Sequence, residues 1–136
     1  MINLEGVRPF AEGGNRFCYV HPDNNHLCLK ISKPDIVEKI RSNVPWYKKL
    51  RSDQSFDDNY REERAYKQRA IRENPHKIWK HLAKWYEFVE TSKGLASCTE
   101  LITNNDKVAL NLEEYLFSMG RTCLLYTSDA ADEHRR

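Results

Sequence analysis

Two short apolar runs near the amino terminus set the pattern of the chain. Phe17–Val20 is aromatic and β-branched, and Leu27–Ile31 sets one lysine among apolar residues. Strand periodicity puts Leu27, Leu29 and Ile31 on one face and Cys28 and Lys30 on the other. The polar stretch His21–Asn25 between the runs predicts a β-hairpin with a longer loop. Val7–Glu12 ahead of the turn Gly13-Gly14-Asn15 predicts a third strand. Further on, Trp85–Thr91 and Leu95–Ile102 read as two more strands joined at Ser92-Lys93-Gly94.

Helical spacing takes over between the two strand groups. The main helix is expected over Asp57–Arg72, capped by Ser55 or Asp57 and stopped by Asn74-Pro75. Tyr60, Glu63, Lys67 and Ala70 share one of its faces. Shorter helices are expected over Asp35–Arg41, with Ile36, Val37 and Ile40 on one side, and over His76–Leu82, with Ile78, Trp79 and Leu82 facing in. Trp46–Arg51 reads as a linker with docked aromatics and solvated basic groups. Asn111–Gly120 begins a further helix with Leu112, Tyr115, Leu116 and Met119 on one face. About five antiparallel strands with one main packed helix make an α+β fold.

Composition narrows the function classes. At 136 residues the chain is one domain or a piece of one, and its formal net charge of +2 is too small to argue for a nucleic-acid partner. No apolar run is long enough to span a membrane, and the first residues lack the features of a signal peptide. The expected setting is the cytoplasm, with the four cysteines reduced. Cys18, His21, His26 and Cys28 mix zinc-type ligands, but their spacing is not that of paired ligand knuckles and two of them lie inside strands. They are therefore read as residues of an apolar hairpin, with no metal site.

Lys30 is the residue with the most chemistry. Its face of the strand points back towards the Gly13-Gly14 turn. A glycine turn brings backbone N–H groups close to a phosphate, and an ammonium supplies the counter-charge. On these residues alone, a solvated lysine on a half-buried strand explains the pattern as well.

Several blocks add a resemblance. Gly13, Asn15-Arg16, Cys18-Tyr19-x-His21-Pro22-Asp23, Cys28-Leu29-Lys30-Ile31, and Val89-Glu90-Thr91 with Gly94 are similar to the PhoP regulatory network YrbL family of bacteria. Members of that family resemble protein kinases in fold, and the likeness spans roughly residues 4–118. It implies a kinase-like amino-terminal lobe over residues 1–102, a hinge and the start of a second lobe over 103–122, and ATP with Mg²⁺ as ligands of the full-length protein. Lys30 would contact the α- and β-phosphates, Glu63 would hold Lys30, Gly13 and Gly14 would cover the phosphates, and the backbone from Glu100 to Ile102 would face the adenine.

The pattern is incomplete in two places. The third glycine of G-x-G-x-x-G is missing, with Phe17 and Cys18 standing in that region. No His-Arg-Asp or Asp-Phe-Gly string occurs, so the fragment itself is expected to be inactive. Residues 123–136 resemble translated sequencing-adapter readthrough and are expected to be non-native. Two other readings stay open: a non-catalytic regulator that binds an unknown protein partner, and a small RNA-binding module using Trp46, Tyr47, Lys48, Lys49 and Arg51.

Overall fold

The alternation around Lys30 is realised in a nine-residue strand, β3 (Asn24–Ser32), at the centre of a five-stranded antiparallel sheet. The computed structural model describes residues 1–73 and 75–119. The remaining strands of that sheet are β1 (Ala11–Glu12), β2 (Arg16–His21), β4 (Trp85–Thr91) and β5 (Gly94–Glu100), in the spatial order β1-β2-β3-β5-β4. Register is explicit. Tyr19 faces Leu29 and Phe17 faces Ile31 across β2–β3, and Leu29 faces Cys98 and Ile31 faces Ala96 across β3–β5. These residues share one face, where Leu4, Tyr19, Leu29, Ile31, Ala96 and Cys98 form the core cluster. The chain is thus α+β, as its periodicities require.

The segment ahead of the glycine turn behaves differently from expectation. The strand predicted over Val7–Glu12 pairs only at Ala11–Glu12, because Pro9 has no N–H to give to the ladder. Residues upstream cross to the other edge of the sheet. Ile2 bridges Thr91, its N–H donates to the Glu90 carbonyl at 2.8 Å, and Ser92 N–H donates to the Ile2 carbonyl at 2.9 Å. Leu4 is fully buried against the core cluster, its N–H donating to Ser92 Oγ at 2.9 Å. Gly6, at φ 75°, turns the chain away again in a conformation that a side chain would strain.

The opposite face of the sheet, which carries Cys28 and Lys30, is covered by helix. After α1 (Ile36–Asn43), α2 (Trp46–Lys49) and a 3₁₀ turn over Asp53–Ser55, the principal helix α3 spans Asp58–Tyr66. Asp57 caps it, its carboxylate accepting the Asn59 N–H at 2.9 Å. The expected continuation to Arg72 is broken. Residues 67–70 are all exposed, so no apolar face holds the helix down, and Gln68 N–H closes the turn onto Ala65 at 3.2 Å. A separate turn, α4 (Arg69–Glu73), follows, then α5 (Pro75–Ile78). Trp79 stacks on Tyr66 at 5.9 Å, while Leu82, expected to face in, is exposed. Tyr60 of α3 packs on Phe88 of β4 with ring centres 5.0 Å apart, which fixes the helix across the sheet.

The chain divides into two units by contact, Met1–Ile102 and the stretch from Thr103. In the second, the polar run Thr103–Asp106 forms a hairpin. Strands β6 (Thr103–Asn104) and β7 (Lys107–Val108) pair across Asn105 and Asp106, both at positive φ (51° and 62°) as a tight two-residue turn requires. Helix α6 (Leu112–Met119) opens with a reciprocal cap: Glu114 N–H donates to Asn111 Oδ1 at 2.8 Å, and Asn111 N–H to Glu114 Oε2 at 3.1 Å. The tail expected to be non-native, residues 123–136 with Cys123, lies outside the described residues. Among the described residues, no helix is long and apolar enough to cross a membrane.

Candidate functional site

Lys30 reaches from β3 to the underside of α3. Its Nζ donates to Glu62 Oε1 at 2.6 Å, and the other oxygen of that carboxylate, Oε2, accepts from Arg16 Nη1 at 2.5 Å. One carboxylate therefore holds two cations, and the cluster keeps a net positive charge. About four-fifths of each side chain is shielded from solvent, with exposures of 26% for Arg16, 21% for Lys30 and 17% for Glu62. Burial works to raise the Glu62 carboxyl, but the hydrogen bond and charge of Lys30, then those of Arg16, hold it below the ordinary carboxylate value. Tyr66, one turn further along α3, moves the other way, its phenol raised by burial and by the Glu62 charge.

The glutamate that meets Lys30 is thus Glu62 and not Glu63. The expected residue is one position off: Glu63 points along the helix to Lys67, its Oε1 accepting from Nζ at 2.5 Å. The phase of α3 is set by Asn59, which is buried and makes two contacts to the sheet. Its Nδ2 donates to the Lys30 carbonyl at 3.0 Å, and its Oδ1 accepts from Arg16 Nη1 at 3.2 Å. Three residues on from Asn59, the same face presents Glu62. Sequence reasoning missed Arg16, Asn59 and Glu62. Arg16 was within reach, since β2 alternation places it with Cys18 on the Lys30 face.

The glycine turn is joined to the same helix. Asn15, next to Gly14, donates through Nδ2 to Asp58 Oδ2 at 2.7 Å, and its carbonyl accepts the Lys33 N–H at 2.8 Å. Ser32 Oγ completes the anchor with a 2.7 Å bond to Asp57 Oδ1. Gly13 and Gly14 both stay out of the left-handed region. A Cβ on Gly14 would meet nothing within 4 Å, and one on Gly13 would make only an ordinary 3.7 Å contact with the Arg16 carbonyl. The fold does not demand glycine at either position, and the Gly13 N–H is already donated to the Arg16 carbonyl at 2.9 Å.

Glu100 ends β5, whose Ser97 faces Lys30, and Ile102 lies two residues beyond it. Glu100 N–H is already donated to the Lys84 carbonyl at 2.7 Å, and Leu101 N–H to the His26 carbonyl at 2.8 Å. Ile102 is exposed. Two of the three backbone donors expected to face an adenine are therefore used within the fold.

Among the described residues, no three His, Cys, Asp or Glu side chains converge to hold a metal ion. The basic and aromatic set forms a separate surface. Trp46 and Tyr47 are exposed on α2, and Arg51 lines a cleft of about 640 Å³ with Ser52, Ser55, Arg61, Arg64 and Gln68.

A family model described as PhoP regulatory network protein YrbL matches residues 2–124 of the chain. No curated protein and no solved structure matches it.

Proposed function

The chain belongs to the PhoP regulatory network protein YrbL family, and we propose that its first unit is the nucleotide-binding, kinase-like lobe of a longer phosphotransferase-like protein. The observation that carries this reading is the 2.6 Å pair between a lysine on the central strand and a glutamate on the helix laid over it. Kinase-fold proteins use such a pair to hold a lysine on the α- and β-phosphates of ATP. Here Glu62 takes the role expected of Glu63. Arg16 adds a second cation, and the turn at Gly13 and Gly14 is tied to the same helix by Asn15.

In this reading Lys30 holds the phosphates and Glu62 fixes the lysine. The ordered Asn59 amide locks the helix against β3, so the lysine is positioned before a ligand arrives. ATP, and Mg²⁺ with it, would be ligands of the longer protein, set in the cytoplasm. The groups that would activate an acceptor or hold the metal are not among the motifs of this chain, so the unit alone binds and does not transfer.

A second reading, a non-catalytic regulator that keeps the fold and binds a protein partner, is favoured by the use of the Glu100 and Leu101 amides inside the sheet. Calorimetry on the longer gene product that carries this lobe separates the two. Magnesium-dependent ATP binding that Lys30→Ala abolishes supports the nucleotide reading. A well-folded protein that binds no ATP sustains the regulator instead.

A further inference from the structure

The strand register gathers a second set of reactive groups beside Lys30. Cys18 on β2 lies directly opposite Lys30 on β3, and Val20 lies opposite Cys28, so the two cysteines are diagonal neighbours on one face. Arg16 precedes Cys18 by two residues on that face, and Glu62 comes down on it from α3. From the other flank, β1 offers the uncharged Ala11. Cys18 is partly exposed, whereas Cys28 and Cys98 are buried.

We propose that Cys18 is a site of reversible thiol modification, exchanging with small disulfides that carry carboxylates, of the glutathione type. In the exchange the Cys18 thiolate attacks one sulfur of the disulfide. A new Cys18 sulfur–sulfur bond forms, the old one breaks, and the departing thiolate takes a proton from water. Arg16 and Lys30 share one carboxylate, and their residual positive charge favours an anionic partner.

The surroundings prepare the nucleophile. The Cys28 thiol donates towards Cys18, and Lys30 and Arg16 add positive charge. Against burial and the Glu62 charge, these bring the Cys18 thiol down to about 6. Cys28 moves the opposite way, raised by its hydrogen bond to Cys18 and by burial. Cys98 is also raised, by burial and by Glu87. An internal Cys18–Cys28 disulfide is the competing product, and its formation in place of an external adduct overturns the proposal.

The test uses the whole chain carrying Cys123→Ser, exposed to oxidised glutathione across a pH series and read by peptide mass mapping. The expected result is one adduct, on Cys18, reversed by dithiothreitol, with a rate that reaches half its plateau near pH 6. Lys30→Met should move that midpoint up towards the ordinary thiol value of about 8.5. If Lys30→Met does not fold, Arg16→Gln gives the same readout. An adduct confined to Cys28 or Cys98, no adduct below pH 8, or a midpoint unmoved in the folded variant overturns the proposal.

Discussion

Glu62 is the residue on which the candidate site closes, because it neutralises Lys30 and Arg16 together in a partly buried setting. Replacing it by Gln leaves two cations sharing a neutral amide. Glu62→Gln is expected to lower stability by about 1–3 kcal/mol, as for a shielded charged hydrogen bond that loses its partner. Glu63→Gln removes only a helical pair to the exposed Lys67 and should cost about 0.5 kcal/mol or less. Urea unfolding of the two variants checks the contrast. The acid limb gives a second reading. The folded-state carboxyl of Glu62 is depressed, so its contribution is fully present above the unfolded value of 4.5 and is lost as pH falls through the lower, folded value. The urea midpoint of the wild type should therefore drop below about pH 4.5, and that drop should be shallower in Glu62→Gln. Lys30 was legible in the sequence because strand alternation isolates it among apolar residues. Its partner was not, because the phase of α3 depends on the Asn59 amide finding the Lys30 carbonyl, a tertiary contact between residues 29 apart.

At the scale of elements, Trp85–Thr91 was legible to its ends as β4, whereas Leu27–Ile31 is only the inner part of β3, because the hairpin turns over Pro22-Asp23 alone and not over the longer loop expected at His21–Asn25. The elements that differed are those whose fate depends on a distant surface. Leu4 carries no periodic signal, yet the amino-terminal segment closes the core because Ser92 and Glu90 offer it backbone partners. Leu4→Ala is expected to cost about 2–5 kcal/mol, the range for a buried leucine truncated to alanine. Thermal unfolding of that variant checks it, and a change below 1 kcal/mol would place the segment outside the core. The long helix expected over Asp57–Arg72 ends at Tyr66 for the converse reason. Tyr66 is the last residue with a docking site, its hydroxyl donating to the Ala83 carbonyl at 2.7 Å and its ring stacking on Trp79. Helical propensity continues past it without a surface to pack on.

At the scale of the whole molecule, the fold class was legible because period 2 and period 3.6 occupy separate stretches of the chain. The polar Thr103–Asp106 run was less so, since a hairpin across Asn105 and Asp106 is written in backbone angles rather than in hydrophobicity. Helix α6 leaves Leu112, Tyr115 and Met119 exposed, and Leu110 beside it as well. Apolar surface gathered in this way drives association. The chain alone should show a concentration-dependent rise in mass by analytical ultracentrifugation, reduced by Leu112→Ser with Tyr115→Ser; a constant monomer mass across the range would contradict this. The proposal that Glu62, through Lys30, prepares a nucleotide site on the first unit is tested most directly by ATP affinity of a protein that carries this unit with Lys30→Ala, Glu62→Gln or Glu63→Gln. The first two variants should each weaken binding by about tenfold or more, the weight of one charged hydrogen bond, and Glu63→Gln should leave it within about twofold. Equal losses from the two glutamate variants, or binding indifferent to Lys30→Ala, would contradict the account.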